Sequence, residues 1–198
     1  MGHEFSGTIV ETESETACSP ALKVGMRVTV DPMVYDGTCL QCRMGRQHLC
    51  EHRNLIGAGR PGAFARYVAV PAHMVFVLPE SLDLRTGALA EPRACAIRAA
   101  SLMGDVRGAD VLIVGAGAIG LLAVQALSAQ GVGRVFVSDT NTGRLANATA
   151  LGATTLNPLA TDVVTLVLDA TDGRGVAVSL DVVGKAVTRA QCVAGAWC

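Results

Sequence analysis

The spacing of apolar and polar residues divides the chain into two halves. Up to about Leu78, short apolar runs rich in β-branched residues are bounded by glycine and proline, which is typical of strands. These runs are GTIVE, MRVTVDP, FARYVAVP and MVFVLP. Over residues 82–103 the chain is rich in alanine and poor in β-branched residues, which predicts helix. The pattern therefore predicts a small all-β domain followed by a linking helix.

From Ala109 onwards, strand-like and helix-like runs alternate. The predicted strands are ADVLIVG, GRVFVSD, ATTLN and GVAVSLDVVG, and the helical runs between them are AIGLLAVQALSAQG, TGRLANATALG and ATDVVTLVLDATDG. A βαβαβαβ order predicts a doubly wound parallel sheet with right-handed crossovers, here of about four strands. The fold class is therefore α/β. Because residues 101–108 are rich in glycine and polar residues, we predict domains at 1–103 and 104–198.

Composition narrows the possible partners and the compartment. Apolar residues make up 51% and charged residues 17%, so the chain has enough apolar surface for a buried core. The formal net charge is -1 with no basic block, which argues against nucleic acid or an anionic membrane as a partner. No signal peptide and no apolar run of membrane-spanning length are visible. Seven cysteines, an odd number, indicate thiolate ligands or free thiols rather than disulfides, so we expect a cytoplasmic protein.

The stretch VLIVGAGAIG has the glycine spacing of a dinucleotide-binding loop. An apolar strand precedes Gly115 and a helix follows Gly117, which is the context that the motif requires. Asp139 ends the next strand, where a carboxylate would bind an adenosine ribose and repel a 2′-phosphate, so NAD is predicted rather than NADP. The alternative is a glycine-rich turn that binds no dinucleotide. The predicted cofactor-binding residues are Gly115, Gly117, Ala118, Ile119, Gly120, Asp139 and Arg144, the last being the only nearby cation.

Three cysteines lie close together in DGTCLQCRMGRQHLC. Cys39 and Cys42 form a C-x-x-C pair, and Cys50 follows closely enough to join them around a zinc ion. Structural zinc requires a fourth ligand, for which Asp36 is the first candidate, His48 an alternative and His52 a weaker one. Plain buried thiols remain possible. A redox C-x-x-C is also possible, although the usual βαβ context is absent here.

Five stretches in order resemble the zinc-containing medium-chain dehydrogenases, in particular the alcohol and polyol branch with sorbitol, threonine and butanediol dehydrogenases. They are GHEFSGTIVE, KVGMRVTVDP, CLQCRMGRQHLC, LAEPRACAIRA and VLIVGAGAIG with Asp139. The resemblance implies a GroES-like catalytic domain followed by a Rossmann domain, with the active site in the cleft between them. It also implies hydride transfer between a secondary alcohol or polyol and NAD, with zinc polarising the alcohol oxygen. A zinc-free quinone reductase relative is disfavoured by the cysteines, the His-Glu pair and Asp139.

The resemblance also assigns the metal ligands. His3, Glu4 and Glu91 match the catalytic zinc site, with His3 and Glu4 as catalytic residues, whereas Cys95 resembles a packing residue of its helix. The implied structural zinc ligands are Asp36, Cys39, Cys42 and Cys50. Asp36 replaces a cysteine of the family pattern.

The resemblance breaks at both ends of the chain. In the family, a cysteine ligand and a proton-relay Ser or Thr precede the G-H-E motif, and further Rossmann strands follow the fourth. We therefore expect a truncated chain that lacks the segment through which relatives usually form homo-oligomers. The alternative function is a catalytically inactive fragment that retains structural zinc and weak NAD binding. We also expect poor solubility, because a shortened sheet exposes an edge strand.

Overall fold

The chain divides into two compact units, Met1–Glu91 and Pro92–Cys198. The structure, a computed structural model, describes residues 1–12 and 22–197. The division falls near the N-terminal end of the helix Ala90–Leu102, whereas the sequence pattern placed the domain boundary after that helix.

The first unit is built from short antiparallel strands. Its described strands are β1 (Ser6–Thr8), β2 (Arg27–Val30), β3 (Met33–Val34), β4 (Asn54–Leu55) and β5 (Val75–Val77). One sheet has the order β1-β2-β5, and β3 pairs with β4 in a second sheet. In the first sheet Ser6 lies opposite Thr29, and Val28 opposite Val77. The core beneath these strands contains Val30, Ile56 and Met74, all buried.

Short helices connect these strands. They are α1 (Leu40–Arg43), α2 (Leu84–Gly87) and the 3-10 helices Gln47–Leu49 and Ala72–Met74. Helix α2 begins after Asp83, whose carboxylate accepts a hydrogen bond from the Thr86 backbone N–H at 2.7 Å.

The run FARYVAVP is not a strand, and that prediction is wrong. Val68 and Val70 instead pack against the core cluster of the first unit. This packing, rather than strand pairing, accounts for the apolar residues in the run. Period-two apolar spacing reports which side chains are buried but not whether the backbone pairs with a neighbour.

The second unit is an α/β sandwich around one parallel sheet. Its strands β6 (Val111–Val114), β7 (Val135–Ser138), β8 (Thr154–Leu156) and β9 (Val178–Asp181) have the order β8-β7-β6-β9. Helix α3 (Ala90–Leu102) begins with the last two residues of the first unit and continues into the second. The other helices of the second unit are α4 (Ala118–Ala129), α5 (Thr142–Ala150), α6 (Val163–Ala170) and α7 (Ala186–Gly195). The doubly wound parallel sheet predicted from the sequence is confirmed.

Both faces of the sheet are covered, as the continuous apolar strand β6 requires. Val111 and Ile113 of β6 belong to one buried cluster, whereas Leu112 and Val114 belong to another. Alternate residues of the strand therefore point to opposite faces. Because the strands are parallel, the residues that follow β6, β7 and β9 all lie at one edge of the sheet, where α/β proteins bind their ligands.

Helices in the described part of the chain are short. None combines the length and the apolar character that crossing a membrane would require.

Candidate functional site

The glycine loop connects β6 to α4, and its three glycines have different environments. Gly115 adopts φ +110°, and a Cβ there would lie 2.8 Å from methyl groups of Val182 and Val183. A Cβ on Gly120 would overlap the Gly115 carbonyl oxygen. A Cβ on Gly117 would meet nothing within 4 Å. The fold itself therefore requires Gly115 and Gly120, whereas Gly117 leaves open space that a ligand would use.

Helix α4 begins directly after Gly117, so the positive end of its dipole lies at this loop. The helix has 12 residues, and Ala118 and Ile119 form its first turn. Backbone N–H groups at a helix N-terminus bind phosphate. The loop therefore fits the pyrophosphate of a dinucleotide, with Gly117 allowing close approach.

Asp139 lies at the carboxyl end of β7 and is already hydrogen-bonded. Its Oδ2 accepts from the Ala116 N–H and its Oδ1 from the Asn141 N–H, each at 2.8 Å. Its side chain is only 7% exposed, and Nη1 of the half-exposed Arg144 lies 3.9 Å from Oδ2. These bonds hold the carboxylate beside the glycine loop, which is where the sequence predicted a ribose-binding acid.

The sheet edge carries two polar residues that the sequence analysis did not identify. Ser138, the last residue of β7, is buried, and its Oγ has no hydrogen-bond partner among the described residues. Asp181, the last residue of β9, accepts hydrogen bonds from the N–H groups of Val183 and Gly184 and from the Thr188 hydroxyl. Their position at strand C-termini was the available signal, because that edge binds ligands in this kind of sheet.

The three cysteines of the first unit form a group with Asp36. Cys39 precedes α1, Cys42 lies within it, and Cys50 follows the 3-10 helix Gln47–Leu49. One ligand atom from each of Asp36, Cys39, Cys42 and Cys50 lies within 4.8 Å of the others. Tetrahedral zinc with sulfur ligands needs separations of roughly 3.8 Å. The donor set and its spacing therefore fit a closed, structural zinc site.

Hydrogen bonds hold the Asp36 carboxylate within this group. Its Oδ1 accepts from the N–H groups of Cys39 at 3.0 Å and Thr38 at 2.8 Å, and its Oδ2 lies 2.6 Å from His52 Nδ1. The backbone donors of Cys39 and Thr38, and then His52, hold the pKa of Asp36 well below its usual range. Asp36 is therefore ionised at neutral pH, as a metal ligand must be.

The two thiols of the C-x-x-C pair have opposite pKa shifts. A backbone hydrogen bond from Cys42 is the main cause that lowers the pKa of Cys39. Burial is the main cause that raises the pKa of Cys42 to about 12. A cation among the sulfur atoms would favour the thiolate form of both cysteines.

Neither alternative histidine belongs to the cysteine group. His48 is exposed, and His52 contacts Asp36 rather than the sulfur atoms. The structure thus groups Asp36, rather than either histidine, with the three cysteines.

A second group of potential ligands contains His3, Glu4 and Glu91, whose ligand atoms lie within 4.8 Å of one another. His3 and Glu4 precede β1, and Glu91 lies in the first turn of α3. The backbone before His3 is anchored, because the Met1 and Gly2 carbonyls accept hydrogen bonds from the N–H groups of Phe64 and Ala63. One imidazole and two carboxylates are a donor set that fits zinc with an open position.

Cys95 of α3 is exposed, so its expected packing role is wrong. The buried residues of that helix are Pro92, Ala96 and Ala100. Cys95 lies on a different side of the helix because 3.6 residues make one turn.

Two family models match this chain. The Alcohol dehydrogenase GroES-like domain matches residues 1–80, and the Zinc-binding dehydrogenase domain matches residues 118–195. Together they cover most of the chain. An L-threonine 3-dehydrogenase of Caldanaerobacter subterraneus is 35% identical over 186 residues, which are 93% of this chain and 52% of that protein.

Solved structures agree in fold. A protein of Sinorhizobium meliloti, described as a zinc-binding dehydrogenase bound to NADP, is 37% identical with a TM-score of 0.91, over 98% of this chain and 57% of that one. The 2R,3R-butanediol dehydrogenase of Bacillus subtilis is 34% identical with a TM-score of 0.87, over 100% of this chain and 55% of that one.

The fold, the two groups of potential metal ligands and the glycine loop together define a chain with a GroES-like domain and a Rossmann domain. The chain belongs to the zinc-containing medium-chain alcohol and polyol dehydrogenase family. It spans about half the length of the curated relatives it matches.

Proposed function

We propose that this chain carries the zinc and NAD sites of a dehydrogenase that acts on a secondary alcohol or polyol. The observation that carries the proposal is the convergence of His3, Glu4 and Glu91, which come from opposite ends of the first unit. A structural metal site at Asp36 and the three cysteines, and a glycine loop with Asp139, support it.

Each group of residues has a defined part in this function. The His3 imidazole and the carboxylates of Glu4 and Glu91 would hold a zinc ion, as histidine and glutamate ligands do in catalytic zinc sites with an open position. When bound, zinc supplies Lewis-acid polarisation of an alcohol, and NAD supplies the hydride acceptor. The N–H groups at the start of α4 would bind the pyrophosphate, and Asp139 would accept a hydrogen bond from a ribose hydroxyl.

NAD is the proposed nucleotide. Asp139 carries a buried negative charge beside the glycine loop, which disfavours a 2′-phosphate. Arg144 acts in the opposite direction and favours a 2′-phosphate, because its guanidinium lies near the same carboxylate. The Sinorhizobium relative is described as bound to NADP, so both nucleotides belong in the binding experiment.

A second candidate function is binding without turnover. It is favoured by Glu4, whose side chain is exposed, because exposed acidic groups commonly cluster without a metal. In that case the chain would hold zinc only at Asp36 and the cysteines and would bind NAD weakly.

Zinc content distinguishes the two candidates. The purified chain would be dialysed and its zinc measured by elemental analysis, beside the variants His3→Ala and Cys42→Ser. Two zinc ions per chain in the parent and one in each variant would support the dehydrogenase. One zinc that is retained in His3→Ala and lost in Cys42→Ser would support binding without turnover. Assays of NAD reduction with threonine, butanediol and sorbitol then test the alcohol class.

A further inference from the structure

His52 makes a contact that the proposed zinc site does not itself explain. Its Nδ1 lies 2.6 Å from Oδ2 of Asp36, although the two residues are 16 positions apart in the sequence. An ionised carboxylate has only acceptor atoms, so Nδ1 carries the proton and donates. The His52 side chain is 71% exposed, whereas that of Asp36 is 22% exposed.

Asp36 needs orientation in a way that a cysteine ligand does not. A thiolate offers one donor atom, but a carboxylate offers two oxygens and rotates about its bond to Cβ. The N–H groups of Thr38 and Cys39 both bind Oδ1 and belong to the same turn as Asp36. His52, from beyond Cys50, contacts the other oxygen, Oδ2, at 2.6 Å.

We infer that His52 is a positioning residue for the metal site formed by Asp36, Cys39, Cys42 and Cys50. It holds the plane of the Asp36 carboxylate so that this side chain serves as the fourth ligand where the family pattern has a cysteine. The inference rests on the proposed zinc site. Hydrogen bonds of this kind to metal ligands typically change metal affinity by about 10–100-fold.

An ordinary exposed ion pair is the competing explanation, and such pairs contribute little to stability. It predicts no effect of His52 on metal binding. The positioning role predicts that the effect depends on residue 36 being a carboxylate. These two expectations differ in a measurable way.

The first test measures zinc affinity of the full chain by competition with a chromophoric chelator. We expect His52→Ala and His52→Gln to weaken zinc binding at this site by about tenfold. This is the low end of the range for such hydrogen bonds, because His52 is exposed. His52→Asn should restore most of the affinity, because the Asn amide nitrogen replaces Nδ1, whereas the Gln amide replaces Nε2. His48→Ala, which changes an exposed histidine of the same segment, is the matched control and should leave affinity unchanged.

The second test repeats the comparison in an Asp36→Cys background. Four thiolates need no oriented carboxylate, so adding His52→Ala there should have no effect. Cobalt(II) replaces zinc in a parallel experiment, because the thiolate-to-cobalt charge-transfer band reports on the cysteine site and not on His3, Glu4 and Glu91. We expect His52→Ala to shift the visible cobalt bands only when residue 36 is Asp.

The outcomes separate the inference from the function on which it rests. Equal affinity in His52→Ala and the parent chain overturns the positioning role, and so does an equal loss in the Asp36→Cys background. Absence of the charge-transfer band in the parent chain instead overturns the proposed zinc site, and the inference with it. If His52→Ala were unfolded by circular dichroism, the His52→Asn and His52→Gln pair would still decide the question.

Discussion

Gly117, which ends the glycine loop, and Gly120, in the first turn of α4, lie three residues apart, but their surroundings give them different roles. A methyl group on Gly117 would enter open space, whereas one on Gly120 would overlap the Gly115 carbonyl oxygen. The motif alone treats both glycines as part of one dinucleotide-binding pattern. Only the packing separates the glycine that the fold requires from the glycine that a ligand would use.

Substitution of these two glycines by alanine should therefore have different effects. Gly117→Ala should lower NADH affinity about tenfold with only a small decrease in melting temperature, because its φ of -73° suits alanine. Gly120→Ala should lower stability by about 1–3 kcal/mol or more, through steric overlap. Fluorescence titration with NADH and thermal unfolding check both variants. Unchanged NADH affinity in Gly117→Ala would show that the pyrophosphate does not approach this residue.

Asp139 should control the choice between the two nucleotides. Its carboxylate is close to the expected ribose position, so Asp139→Asn should raise NADPH affinity relative to NADH roughly tenfold, equivalent to about 1.4 kcal/mol. Arg144→Ala should have the opposite effect and weaken the binding of NADPH more than that of NADH. Dissociation constants of both nucleotides for the three chains test this. A parent chain that prefers NADPH would contradict the assignment.

At the scale of elements, one ion pair connects the beginnings of two adjacent strands. Asp110 precedes β6 and Arg134 precedes β7, and their side chains meet with Nη2 2.5 Å from Oδ2. Arg134 also donates through Nη1 to the Ala170 carbonyl at the end of α6, at 2.7 Å. Three elements of the second unit are therefore linked through one guanidinium.

This ion pair should make stability depend on pH. The hydrogen bond from Arg134 is the main cause that lowers the pKa of Asp110 in the folded chain. The contribution of the ion pair to stability is therefore fully present at pH values above the pKa of an unfolded aspartate, about 3.9. It is lost as the pH falls through the lower pKa of Asp110 in the folded chain. Asp110→Asn should lower the melting temperature at pH 7, and the difference from the parent should shrink below about pH 4.

Asp105→Asn is the matched control for this prediction. Asp105 pairs with Arg107, but both side chains are largely exposed, at 64% and 78%. Solvent screening should make this substitution nearly neutral at pH 7. If the melting temperatures of Asp110→Asn and the parent differed by the same amount from pH 7 to pH 2, the charge of the Asp110 carboxylate would not contribute to stability.

The secondary structure of the second unit was predicted well from the sequence, and that of the first unit less well. Strands β6 and β7 are formed almost entirely of buried apolar residues, and helices with clear N-caps such as Asp162 separate the strands of the sheet. In the first unit, strands of two to four residues are too short for a periodic signal. The apolar run at Val68 and Val70 was misassigned because burial and strand pairing leave the same pattern.

At the scale of the whole molecule, the second unit exposes apolar side chains near one edge of its sheet. β9 is an edge strand in the described sheet, and only a short bridge between Val176 and Ala196 adds to it. Val187, Val193 and Trp197 nearby are 63–73% exposed. Exposed apolar surface beside an unpaired strand edge favours association between chains.

We therefore predict that the chain with the printed sequence associates and has poor solubility. Size-exclusion chromatography with light scattering should show species larger than the 20.4 kDa chain that increase with concentration. Substitution of Val187 and Val193 by lysine should reduce this association, because charge at an edge opposes pairing. Arg85→Lys, which keeps the charge of an exposed residue in the first unit, is the control. A monodisperse monomer with one sharp thermal transition would contradict the prediction.

The sequence by itself determined the α/β class, the glycine loop between a strand and a helix, and the cysteine group. Each of these depends on residues that are close in the chain, where backbone geometry and spacing control which atoms meet. Only the tertiary structure decided that His52 contacts Asp36 and that His3 and Glu4 meet Glu91. These contacts join residues that are distant in sequence. Packing of the intervening chain, which no local pattern encodes, brings them together.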